Sequence, residues 1–357
     1  MNILDNPKKM KELDKSQMFA SIEQLDLQFK QTWSEIKEIN LPKTYRNIDH
    51  VVLNGMGGSG LAGRLVKTLF SERMSIPIDH IHDYILPRTV NKKTLFFVVS
   101  YSGNTEEPVS TVTKGIKRGA KVFIIANGGK LSQIAKKYKL PNYTFKEEHN
   151  PCGQPRMGLG YNLGSLVGIL KRLNIIDITD AEFLNSLKIM RVLNNKLSVG
   201  VPMRRNIAKK IAQKLHGKMP IIIASEHLEG NAHIFRNQIN ENGKNFANYY
   251  LIPELNHHLM EGMINPKIKV KNLIFLFIKS KLYYSSNQKR HEITQKVLSK
   301  QGIPWLDHTL IGKSQLEQSF EMLLLGSYAS YYLALLNNID PSPIPWVDYF
   351  KDQLSKL

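Results

Sequence analysis

A single cysteine in 357 residues leaves no disulfide framework to build a fold on, so Cys152 and the chain around it suit a reducing compartment. Long apolar runs are missing too. No stretch approaches the roughly 20 residues needed to span a bilayer, and the first ten residues, MNILDNPKKM, lack the apolar core of a signal peptide. The expectation is a cytoplasmic protein that makes no use of a membrane. Acidic residues are the scarcer charge, 30 against 49 Lys and Arg, for a formal net charge of +19. Such an excess suggests nucleic acid. Yet much of it is lysine spread along predicted helix faces (Lys114, Lys117, Lys136, Lys137, Lys209, Lys210, Lys214), with no basic tail, zinc-ligand spacing or aromatic-basic strand. A solvated basic surface that attracts an anionic metabolite explains it better than a nucleic-acid partner. Low-complexity linkers are absent, and 42% hydrophobic with 22% charged residues is a soluble globular composition.

What is present is an alternation of apolar strands and helices. Met18, Ile22, Leu25, Phe29, Trp33 and Ile36 recur at spacings of three and four, which predicts one helical stripe over residues 16–39, packed across a domain or subunit. Strands are expected at 50–53, 76–84, 94–100 and 120–126, with a fifth at 142–147 and helices between them. The second half repeats the plan, with strands at 219–224, 247–253, 273–280 and 303–311 and a long buried helix at 314–336. Continuous apolar strands alternating with helices predict an α/β fold of two doubly wound, flavodoxin-like parallel-sheet subdomains with flanking helices. We divide it at 1–180 and 181–357, with phosphate turns in the first part and catalytic residues in the second.

Two turns follow strands in the first half. Ser100-Tyr101-Ser102-Gly103-Asn104-Thr105 runs into Glu106-Glu107-Pro108, an acidic first turn of a helix, and Asn54-Gly55-Met56-Gly57-Gly58-Ser59-Gly60 precedes another. Backbone N–H groups at a helix start, with hydroxyls beside them, suit a phosphate. Neither turn has a P-loop lysine, and no acidic residue stands clearly where a dinucleotide fold needs its ribose partner; Asp79 or Asp83 would serve only with strain. One such turn alone equally fits a capped loop. Arg156 follows a proline-stiffened loop and precedes a glycine-rich helix start, a setting that suits either anion recognition or a surface arginine. Glu241 at one helix end and His257 after the next strand would supply a base and a proton shuttle if both face one cleft. Each also fits an ordinary loop or helix-end role.

Together, Gly55–Ser59, Ser100–Thr105, Pro155-Arg156, Asn240-Glu241-Asn242 and Pro253-Glu254-Leu255-Asn256-His257 resemble, in order, the bifunctional phosphoglucose/phosphomannose isomerase family, built from two sugar isomerase (SIS) domains. The resemblance covers most of the chain. It implies interconversion of glucose 6-phosphate and mannose 6-phosphate with fructose 6-phosphate, with no metal or organic cofactor. Gly58, Ser59, Ser100, Ser102 and Thr105 would hold the phosphate, and Glu241 would carry the proton between C2 and C1 through a cis-enediolate. Arg156 would stabilise the intermediate's oxyanion, and His257 would open the ring from the partner subunit of a homodimer. Lys351 is the match for a C-terminal lysine that assists ring opening. Met157-Gly158 and His258 depart from the family pattern, which bears on substrate preference and leaves His258 as an alternative to His257.

Two other readings compete. A non-catalytic SIS sensor of sugar phosphates would need the serine turns but not Glu241, Arg156 and His257 together. An isomerase of another phosphosugar, an aminosugar or a pentose, would use all of them.

Overall fold

The computed structural model describes residues 3–266, 272–354 and 356. In the first half, β1 (His50–Asn54), β2 (Ile78–Ile81), β3 (Thr94–Ser100), β4 (Lys121–Ala126) and β5 (Asn142–Thr144) form a parallel sheet in the order β2-β1-β3-β4-β5. In the second half, β6 (Met219–Ala224), β7 (Asn248–Leu251), β8 (Leu273–Lys279) and β9 (Trp305–Thr309) form another in the order β7-β6-β8-β9, again all parallel. The expected fold class is the observed one. Every residue of β3 is buried, as its unbroken apolar run requires of a central parallel strand.

Helices fill the space between and around the sheets. Helix Gln315–Leu336 is apolar almost all round and buried along nearly its whole length, so it serves as an internal pillar and not a surface helix. The residue 16–39 stripe forms two α-helices, Met18–Glu23 and Leu25–Glu35, and a 3₁₀ turn, with all six stripe residues buried. It joins the halves as expected: Trp33 stacks on Phe183 at 3.7 Å, and Phe29 meets Phe320 at 5.0 Å. Helices Gly57–Leu69 and Glu229–Glu241 pack so closely that a Cβ on Gly230 would lie 2.4 Å from Leu65 Cα.

Two local expectations are corrected. The residue 247–253 strand is shorter, and His257 lies not in a loop but in the first turn of helix Leu255–Gly262.

Candidate active site

The two phosphate-type turns lie side by side at the carboxyl ends of the adjacent strands β1 and β3, where ligands of such sheets bind. Ser59 Oγ accepts from the Tyr101 amide at 2.8 Å and so ties one turn to the other. Ser100 Oγ accepts from the Gly103 and Thr105 amides and shares a 2.7 Å hydrogen bond with Thr105 Oγ1. Both serines are buried, and their oxygens hold the turns in shape. Ser102 is exposed and Thr105 half-buried, so these hydroxyls stand nearer a ligand. Helix Gly57–Leu69 and helix Glu106–Lys117 both start without a side-chain cap, which leaves their first N–H groups for an anion. Gly103 has φ +72°, and a Cβ there would meet the Gly128 carbonyl at 1.8 Å, so only glycine closes this turn.

The first turn also touches Arg156. A Cβ on Gly58 would stand 2.9 Å from Arg156 Cα, so the missing side chain lets the 3₁₀ turn Pro155–Met157 sit directly on the helix start. The Arg156 side chain is only 3% exposed and firmly held. Its Nε donates to Asn242 Oδ1 (2.6 Å), Nη1 to Gln154 Oε1 (2.7 Å), and Nη2 to the carbonyls of Pro341 (3.0 Å) and Ser342 (2.7 Å). A guanidinium carries five N–H bonds; with these partners engaged, one on Nη1 is left for a ligand oxygen. Burial pulls the guanidinium below its usual value, and Glu241 counteracts this.

Glu241 ends helix Glu229–Glu241 with its Oε2 4.0 Å from Arg156 Nε and its side chain 30% exposed. Burial pushes its carboxyl above the usual range, opposed by the cations Arg156, Lys244, Lys351 and Arg236. A carboxylate made more basic by its surroundings yet ringed by cations is equipped to take and return a proton. Lys351, on helix Pro345–Leu354, is therefore close enough to act on Glu241, and Asp348 on the same helix acts on Arg156.

The structure thus gathers Gly58, Ser59, Ser100, Ser102, Thr105, Arg156, Glu241 and Lys351 around one region. His257 and His258 are both exposed on helix Leu255–Gly262. Three residues not singled out from sequence help to build the site. Asn242 aims Arg156 and is itself buried against Ser330 Oγ at 3.2 Å. Gln154 holds the guanidinium from the other side. Tyr101 hydrogen-bonds Glu147 and accepts from Asn150 at 2.7 Å, which joins the serine turn to the loop before Arg156. All three lie beside or within the quoted motifs, and that adjacency is the signal by which they could be found.

Residues 44–160 match the family model described as SIS domain, and residues 204–354 match that described as bacterial phospho-glucose isomerase C-terminal SIS domain. The chain is 33% identical over 346 residues to the bifunctional phosphoglucose/phosphomannose isomerase of Caldicellulosiruptor bescii, covering 95% of this chain and 99% of the relative. To the protein of the same name from Aquifex aeolicus it is 31% identical, over 91% and 94% of the two chains. A D-glucosamine-6-phosphate 4-epimerase of Sulfolobus acidocaldarius is 28% identical over 64% of this chain and 70% of its own. Among solved structures, a hypothetical protein from Thermus thermophilus shares the fold with a TM-score of 0.74 and 16% identity, covering 99% of this chain and 94% of that one.

Proposed function

The chain belongs to the bifunctional phosphoglucose/phosphomannose isomerase family, and from that premise we propose that it interconverts glucose 6-phosphate and mannose 6-phosphate with fructose 6-phosphate. The observation that carries the reading is the Glu241–Arg156 pair, a partly buried carboxylate 4.0 Å from a fixed guanidinium, built onto the start of the helix that carries the first phosphate turn. The uncapped helix starts, with Gly58, Ser102 and Thr105, take the phosphate, while Ser59 and Ser100 shape the cradle and supply hydroxyl dipoles. Glu241 removes the proton from C2 and returns it to C1 by way of a cis-enediolate. The free Arg156 N–H and its charge stabilise the oxyanion, and because the guanidinium is already held no reorganisation is needed when that charge forms. Lys351 assists ring opening above Glu241.

His257 fits as the group that opens the ring in the neighbouring active site of a homodimer, because it is exposed on helix Leu255–Gly262 and so open to a second copy of the chain. Mixing two inactive variants, Glu241→Gln and His257→Ala, tests this. If the histidine crosses a two-fold interface, mixed dimers regain one intact site and activity returns to about a quarter of wild type. No recovery after subunit exchange refutes the crossing, and His258→Ala in the same format assigns the residue.

Chromatographic detection of the ketose phosphate formed, run with glucose, mannose, glucosamine and arabinose phosphates, tests the activity itself. Turnover confined to an aminosugar or pentose phosphate would favour the second reading, an isomerase of another phosphosugar, which the similarity to a glucosamine-6-phosphate epimerase keeps in view. Binding without turnover would favour the sensor.

A further inference from the structure

Helix Pro345–Leu354 brings Lys351 and Asp348 to bear on the Glu241–Arg156 pair, yet none of its own residues is buried. Its apolar residues face outward: Trp346 is 82% exposed, Phe350 64% and Tyr349 60%. A helix of ten residues is marginal by itself in water, and this one lacks the packed stripe that normally positions a helix. Something other than core burial has to set where Lys351 sits.

The anchor is the turn just before it. Pro341 and Ser342 are buried, and their carbonyls point at cations. Arg156 Nη2 donates to both carbonyls. Lys244 Nζ donates to the same Pro341 carbonyl at 2.8 Å and, with a second N–H, to the Glu241 carbonyl at 2.5 Å. Lys244 adopts the left-handed conformation (φ 49°), uncommon for a residue other than glycine, which turns its side chain back over the end of helix Glu229–Glu241. One ammonium thus bridges the backbone of the proposed base and the backbone that leads into the Lys351 helix.

We propose that Lys244 is a positioning residue for the isomerisation, clasping the Pro341 carbonyl with Arg156 so that the C-terminal helix holds Lys351 over Glu241. The inference rests on the isomerase reading above. The charged groups facing the Lys244 ammonium are Arg156, Asp340 and Glu241; burial, reinforced by Arg156, brings it down to about 8 against the pull of the two acids. The clasp is therefore made of charge-assisted bonds below that pH and weaker neutral ones above it.

Hydrogen exchange of the backbone amides of residues 344–354, read alongside steady-state kinetics, tests this on the full-length chain. In Lys244→Met the tail amides should exchange faster, and kcat should fall about tenfold or more with KM little changed, the pattern of a misplaced catalytic group. Lys244→Arg keeps a cation and its donors, so it should restore slow exchange and move the alkaline fall in kcat, expected near pH 8 in the wild type, upward. Tail exchange that ignores Lys244→Met overturns the clasp, and so does faster exchange with unchanged turnover. A fall in kcat with the tail still protected overturns it equally, because Lys244 would then act directly. Wild-type turnover is measured first: its absence refutes the isomerase reading, whereas the exchange measurement tests the clasp without any turnover.

Discussion

Glu241→Gln separates chemistry from architecture more cleanly than any other substitution in this site. The amide is nearly isosteric, and the carboxylate's closest charged partner is Arg156 at 4.0 Å, a distance at which no hydrogen bond is lost. Burial holds the carboxyl above its ordinary value of 4.5 despite four nearby cations. The sign of the linkage follows from that direction. A carboxyl raised in the folded state binds more protons folded than unfolded, so its contribution to stability is complete below pH 4.5 and is lost as pH rises through the raised value. At neutral pH the ionised form is therefore a net cost, and Gln removes it. The variant should unfold at the same denaturant concentration as wild type or slightly higher, a gain of about 0–1 kcal/mol, since the side chain keeps partial contact with solvent and the effect is screened. Turnover should fall on the order of 10²-fold or more, the usual worth of a positioned proton carrier. Calorimetric titration with fructose 6-phosphate should show affinity little changed, because the phosphate turns are untouched. Wild-type kcat should rise with pH on the acid side with a midpoint above 4.5, and any residual activity of the variant should lack that limb. Isomerisation within about tenfold of wild type would refute the role of Glu241, and a strongly destabilised variant would refute the electrostatic reasoning.

Three further outcomes rest on particular contacts. Arg156→Lys replaces a held fork by a single ammonium with three donors and no planar geometry, so urea unfolding should show a loss of about 2–4 kcal/mol. The same variant should lose on the order of 10²-fold in kcat, and a larger effect on KM than on kcat would argue against oxyanion stabilisation. Gly103→Ala forces φ +72° on a residue with a Cβ that would collide with the Gly128 carbonyl; stability should drop by about 1–3 kcal/mol and KM for any phosphosugar should rise, with an unchanged KM counting against this turn as the phosphate cradle. Lys209 is fully buried and donates to the carbonyls of Leu4 (2.6 Å), Val199 (2.8 Å) and Val201 (2.8 Å), and burial lowers its ammonium to about 8. Between pH 8 and the ordinary 10.5 the unfolded chain holds the extra proton, so the stability of wild type relative to Lys209→Met should improve across that window, and a flat difference in unfolding midpoints refutes the linkage.

The scaffold is legible because its signals are local. Apolar runs such as Leu95-Phe96-Phe97-Val98-Val99 make buried parallel strands in any order, and the two hydroxyl turns identify themselves by glycine and serine spacing. Boundaries slip where local and tertiary preferences compete. Residues 57–60 begin a helix despite three glycines, because the close approach of Arg156 to Gly58 and of Gly55 to Gly60 leaves no room for side chains there. His257 reads from sequence as a loop residue, since Pro253 masks a helix that starts only at Leu255. What sequence spacing cannot convey is which distant groups converge. Arg156 depends on Asn242, 86 positions away, and on the Ser342 carbonyl, 186 positions away. A backbone carbonyl acting as a ligand leaves no trace in residue identity at all.

That convergence also gives the excess of basic residues a local meaning. A base that takes a proton from carbon has to be more basic than an ordinary carboxylate and still ionised at neutral pH. Desolvation at the end of helix Glu229–Glu241 supplies the first property and works against the second. Arg156, Lys244, Lys351 and Arg236 restrain the shift, and they reach Glu241 from three separate parts of the chain. Two of those cations, Arg156 and Lys244, are also the ones that grip the Pro341 carbonyl. The groups that tune the carboxylate are therefore the groups that fix the tail, and neither function can be altered without disturbing the other. A turn that merely binds phosphate requires none of this coupling; the proposed isomerisation, in which one carboxylate has to stay ionised, deprotonate carbon and stand beside an enediolate, does.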